Sequence, residues 1–87
     1  MLFGERFTPK QAAILDMIAT VTKGRGGICM ESMIWVFYPG EPKKAAGQRI
    51  RTHIDAINNI LCATDYRIIG PGMGKQGMYR LARGIGP

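Results

Sequence analysis

Ala45-Ala46-Gly47-Gln48-Arg49-Ile50-Arg51-Thr52-His53-Ile54-Asp55-Ala56-Ile57-Asn58-Asn59-Ile60-Leu61 is the stretch that decides how this chain reads. Ala46, Ile50, Ile54, Ile57 and Leu61 recur at spacings of four and three, which is the apolar stripe of an amphipathic helix. At roughly 100° per residue, the opposite face carries Gln48, Thr52, Asp55 and Asn59, with Arg51 beside it and Arg49 on the other flank. The pattern predicts a helix over 45–61 that buries its isoleucines. Its outer face offers hydrogen-bonding side chains as well as charge. An ordinary solvated face has the same composition, so the outer face alone assigns no function.

Upstream, Thr8-Pro9-Lys10-Gln11 is a helix start: a capping threonine, proline at the first helical position, and glutamine three residues after the cap. Ile14, Leu15, Ile18 and Val21 follow at helical spacing and predict a helix over 9–20, which Lys23-Gly24-Arg25-Gly26-Gly27 stops. Ile28-Cys29 reads as a strand fragment. Met33-Ile34-Trp35-Val36-Phe37-Tyr38 is apolar or aromatic throughout, and Glu31-Ser32 before it and Pro39-Gly40 after it favour a short helix over a strand. So apolar a helix cannot bury every side chain, and Trp35 or Val36 is expected at the surface. Glu41-Pro42-Lys43-Lys44 reads as a charged loop.

Downstream, Tyr66-Arg67-Ile68-Ile69 and Met78-Tyr79-Arg80-Leu81-Ala82 read as two strands of a hairpin joined by a glycine-rich loop with Lys75 near its tip. The expected fold is thus a small α+β domain of three helices and a C-terminal hairpin, one domain over residues 1–87 with its ordered core at about 8–82.

Twelve Lys and Arg against six Asp and Glu give a net charge of +6 and a pI near 9.8. That excess favours a polyanionic partner. It is also clustered: Lys43, Lys44, Arg49 and Arg51 have no acid among them, and neither do Arg67, Lys75, Arg80 and Arg83. No run approaches the roughly 18 apolar residues of a membrane span, and the N-terminus lacks the layout of a signal peptide. Cys29 and Cys62 are expected as two buried free thiols in a reducing cytoplasm.

Nothing in the sequence composes a catalytic or metal site. Gly72, Gly74 and Gly77 formally spell the spacing of a dinucleotide loop, but they lead into a strand rather than a helix. Gly74-Lys75 lacks the hydroxyl residue and the earlier glycine of a phosphate loop. His53 lies at the edge of the apolar stripe with no nucleophile at a telling spacing, which points to a structural histidine. Cys29, Cys62 and His53 are too scattered for zinc. The carboxylates fall in separate elements. The chain is therefore expected to bind rather than catalyse, with no cofactor and no metal.

The order helix, short strand, helix, loop, long helix, hairpin is that of a winged helix-turn-helix. The chain resembles the DNA-binding effector domains of OmpR/PhoB-type response regulators over about 8–81. Those domains open on a Thr-capped helix, as Thr8 does here. Their second helix carries Leu-Leu-x-x-Val-Trp, which Met33-Ile34-x-x-Phe37-Tyr38 matches in character. Their long helix has a Val-x-x-His-Ile-x-x-Leu core, similar to Ile50-Arg51-Thr52-His53-Ile54-Asp55-Ala56-Ile57. Their wing closes on Gly-x-Gly-Tyr-Arg-Leu, similar to Gln76-Gly77-Met78-Tyr79-Arg80-Leu81.

The resemblance implies a compact bacterial or phage transcription regulator that binds double-stranded DNA, with the long helix in the major groove and the hairpin as a wing. It puts Gln48, Arg51, Thr52, Asp55 and Asn59 at the bases, Lys43, Lys44 and Arg49 at phosphates near the helix entry, and Arg67, Lys75 and Arg80 on the wing. The chain departs from the family by carrying Asp55, Ala56, Asn58 and Asn59 where basic residues are usual, and control through the family's phosphorylatable receiver domain is not expected. A homodimer or a second protein would lengthen the short site one domain covers. The rival expectation is a protein-interaction module of the same fold, docking on RNA polymerase or another regulator through Trp35, Val36 and Phe37.

Overall fold

The structure, a computed structural model, describes residues 7–70 and 77–83. Its elements are α1 (Pro9–Arg25), β1 (Ile28–Cys29), α2 (Met30–Phe37), α3 (Lys43–Leu61), β2 (Tyr66–Ile69) and β3 (Met78–Arg83). They form an α+β fold of three helices and a three-stranded antiparallel sheet in the order β1-β3-β2.

The capping box at α1 is complete. Thr8 Oγ1 accepts from the Gln11 N–H at 3.2 Å, and the Thr8 N–H donates to Gln11 Oε1 at 3.1 Å. α1 runs five residues beyond the expected end at Thr20, because Val21 and Thr22 still have neighbours to meet. Val21 packs on the core, and Thr22 Oγ1 accepts the Leu81 N–H at 3.0 Å. That bond occupies a β3 donor beyond the two residues that β1 pairs. Gly26 then closes the helix at φ 87°, a left-handed conformation that favours glycine. Gly27 is needed for a different reason: a Cβ there would lie 2.9 Å from the Tyr79 carbonyl oxygen of the adjoining strand.

Two expectations are corrected here. The sheet is not a C-terminal hairpin alone, since Ile28 pairs with Tyr79 and Cys29 with Met78, so β3 is the central strand and β1 reaches it from between two helices. Residues 43 and 44 are not loop: α3 begins at Lys43 on an N-cap of Pro42, whose fixed φ suits a helix entry. The stripe reading of α3 holds, with Ala46, Ile50, Ile54, Ile57 and Leu61 all buried.

The core gathers Ile14, Leu15 and Ile18 of α1, Met33 and Ile34 of α2, the α3 stripe, and Ile68 and Tyr79 of the sheet. Besides this packing, one side chain of α3 hydrogen-bonds the sheet. Asn58 Nδ2 donates to the Ile68 carbonyl at 3.0 Å while its Oδ1 accepts the Ile68 N–H at 2.8 Å. The amide thus satisfies the two backbone groups that a neighbouring strand would otherwise pair. Among the described residues no helix is long and apolar enough to cross a membrane.

Candidate nucleic-acid interface

The outward face of α3 is open along its length. Lys44, Gln48, Arg51, Thr52, Asp55 and Asn59 are all exposed, while the stripe opposite them is buried. The span from Lys44 to Asn59 is about 22 Å at the helical rise. Near the helix start, Lys43, Lys44, Gln48 and Arg51 line one hollow with Met30, Glu31 and Ile34 of α2 and Gly47. Lys43 and Lys44 occupy the first turn, which holds no acid. Helix stability does not explain them there, because the N-terminal end of a helix dipole disfavours cations.

The cations of this face are not equivalent. Among the described residues the ion pairs are Lys43 with Glu31 and Arg49 with Glu41, the latter at 3.2 Å. Arg49 also lies 5.6 Å from the Tyr38 ring centroid. Tyr38 takes Lys10 on its ring as well, at 4.8 Å, and its hydroxyl meets His53 Nε2 at 3.1 Å. Arg49 is therefore committed to the junction of α1, α2 and α3. Lys44 and Arg51 have no acidic partner among the described residues. They are the cations left for an external anion.

The other expected residues are distributed as follows. Thr52 Oγ1 donates to the Gln48 carbonyl at 3.0 Å, leaving the hydroxyl oxygen outward as an acceptor. Asp55 and Asn59 are exposed at one and two turns beyond Arg51. Arg67 lies across from Ala82, and Arg80 across from Ile69. By strand alternation both arginines stand on the face opposite Ile68 and Tyr79, the core side. Neither lines the α3 hollow. Lys75 falls outside the described residues, as do Gly72 and Gly74.

No protein-family model, curated protein or solved structure matches the chain. What the site can do rests on its own geometry.

Two readings of single residues need revision. Cys62 is exposed, and Cys29 is half-buried at the N-cap of α2, so neither is a buried core thiol. The Ser32 hydroxyl, 3.2 Å from Cys29 Sγ, and then the Ser32 backbone N–H hold that thiol below its ordinary range. Of the expected exposed aromatic face, Trp35 and Val36 are open at 76% and 53%, but Phe37 is half-buried against the core beneath Lys10. Among the described residues no three His, Cys, Asp or Glu side chains gather.

Sequence reasoning missed three residues that shape this surface. Glu31 and Glu41 each quench a cation of α3 from 12 and 8 residues away, separations that no helical spacing rule reaches. Asn58 was grouped with Asn59 although it holds β2. A hint lay in its phase: at about 100° per residue it sits roughly 60–80° around the helix from Asp55 and Gln48, toward the buried Ile54.

Proposed function

We propose that this chain is a winged helix-turn-helix domain that binds double-stranded DNA as a transcription regulator, with α3 in the major groove and the β2–β3 hairpin as its wing. The observation that carries the reading is the pairing state of the α3 cations. Arg51 and Lys44 are exposed and unneutralised beside Gln48, Thr52 and Asn59, on a helix whose other side is wholly core. A B-DNA major groove of about 12 Å width admits one such helix. Lys44 and Arg51 supply phosphate neutralisation, and Gln48 and Asn59 supply the paired donor and acceptor that read adenine. On this reading Arg67 and Arg80, on the hairpin face away from the core, are the wing's contacts to the phosphate backbone. The proposed location is the cytoplasm, and the chemistry is binding without catalysis.

The test is a duplex-shift assay from low to moderate salt with Arg51→Ala and Lys44→Ala. Each variant is expected to bind more weakly and to flatten the salt dependence, the slope falling by about 1 per phosphate contact removed. If both bind duplex DNA as the parent does, this surface is not the interface. Exposure of Trp35 and Val36 favours a second reading, a protein-contact module for RNA polymerase or another regulator. DNA affinity no better than that of a generic cation, beside tight binding to such a partner, would put that reading first.

A further inference from the structure

Trp35 and Val36 are the large hydrophobic side chains left exposed among the described residues, and they are adjacent on α2. Among the described residues the other large apolar side chains are buried or half-buried, which makes these two an exception that stability does not account for. Their setting differs in charge from every other long element. α1 carries Lys10, Lys23 and Arg25, α3 carries four cations, and β3 carries Arg80 and Arg83, whereas α2 has no Lys or Arg. Lys43, the cation that lines the same hollow as Trp35, is neutralised there by Glu31.

We propose that this face of α2 docks a second copy of the chain when two copies occupy neighbouring duplex sites, an inference that rests on the DNA-binding reading above. Charge selects the occupant. Two chains of +6 repel each other across their basic surfaces, and α2 is where they can meet without opposing cations. The hollow that holds Trp35 offers an acidic partner no unpaired cation, since Lys43 is bound to Glu31. Size selects the condition. Two such side chains expose about 200–300 Å² per copy, against roughly 800 Å² per partner in a stable interface. The contact is therefore too small to hold a free dimer, and it needs the duplex to supply effective concentration. Position permits it, because the hollow holding Trp35 shares Glu31, Ile34 and Lys43 with the hollow that Lys44 and Arg51 line. A patch at the rim of the DNA face can reach a neighbour on the same duplex. The same face meeting itself is isologous, so the paired sites run in opposite orientations.

The experiment uses a site recovered from a random duplex pool, placed singly and as inverted and direct pairs at varied spacing. The parent is expected to be monomeric when free and to bind one inverted pair with cooperativity of roughly ten- to a hundredfold. The emission of the single tryptophan shifts to the blue on that pair and not on the lone site. Trp35→Ser with Val36→Ser is expected to abolish the cooperativity while leaving single-site affinity within about twofold. Thermal unfolding of the variant confirms that it is folded. Independent binding at every spacing and orientation, or cooperativity confined to direct pairs, overturns the proposal and leaves the DNA reading standing. Loss of single-site affinity in the double variant also overturns it, because Trp35 would then touch DNA. Absence of duplex binding by the parent overturns both.

Discussion

Residues 43–51 and 52–61 share one helix and one buried stripe, yet their outer sides differ. The first half carries Lys43, Lys44, Arg49 and Arg51 and no acid, and it packs on α2 through Gly47. The second half carries Asp55 and no Lys or Arg, and Asn58 fastens it to the sheet. The charge for a polyanion is thus concentrated at the end of the helix away from its anchor. The contrast is sharpest between neighbours: Asn58 makes two backbone hydrogen bonds, whereas Asn59 is exposed and lends the neighbouring thiol only its backbone carbonyl. Identical side chains one residue apart serve stability and recognition because 100° of helical rotation turns one to the sheet and the other to solvent.

The largest expected effect breaks the anchored half. Asn58→Ala leaves the Ile68 N–H and C=O unpaired at a partly buried site, and it is expected to cost about 2 kcal/mol in urea unfolding. Asn59→Ala is expected to stay within about 0.5 kcal/mol. Equal costs for the two asparagines would erase the distinction between them.

On the cationic half, Arg51→Ala is expected to lower duplex affinity by about tenfold at low salt, with the salt slope reduced by about 1. Arg49→Ala is expected to lose less affinity and more stability, because Arg49 is bound to Glu41 and stacked on Tyr38. Shift assays and thermal melts on the two variants separate these roles. The reverse ranking would move the recognition surface around the helix.

How far the sequence discloses all this depends on whether a residue's role is local. The α3 stripe and the α1 capping box were legible, since both are periodic or short-range patterns enforced by helix geometry. The exposed face of α3 followed from the same periodicity. The pairing of β1 with β3 was not legible, because two residues carry no alternation and their partners lie about fifty positions away. The ion pairs that remove Lys43 and Arg49 from the free charge were hidden for the same reason. Composition counted four cations at the head of α3, and tertiary structure leaves two of them without an acidic partner.

Gly47 offers a smaller test of the cationic half. It sits inside α3, buried against α2, yet an added methyl would lie 3.9 Å from both Ile34 Cδ1 and Met30 Cγ, an ordinary contact. Gly47→Ala is expected to stabilise the fold by about 0.5–1 kcal/mol through the lost backbone freedom of the unfolded chain. For a domain of this size the melting temperature should rise by about 4–8 °C per kcal/mol. A fall instead would mean that α2 and α3 are packed closer than their separation at Gly47 indicates.

The smallest effect expected is also the most informative about the free charge. Glu31 is held below the usual carboxylate range, first by the Lys43 hydrogen bond and then by its charge. A lowered folded-state value means that the pair's contribution is present above the unfolded carboxylate value and is lost as pH falls through the folded one. Both partners are about two-thirds exposed, so solvent screening keeps that contribution small. Glu31→Gln is therefore expected to leave the melting temperature within about a degree. It also releases Lys43 at the head of the helix, and duplex affinity should rise about two- to fivefold at low salt with a steeper salt dependence. An unchanged affinity would place Lys43 beside the interface rather than within it, and the cationic half of α3 would then begin at Lys44.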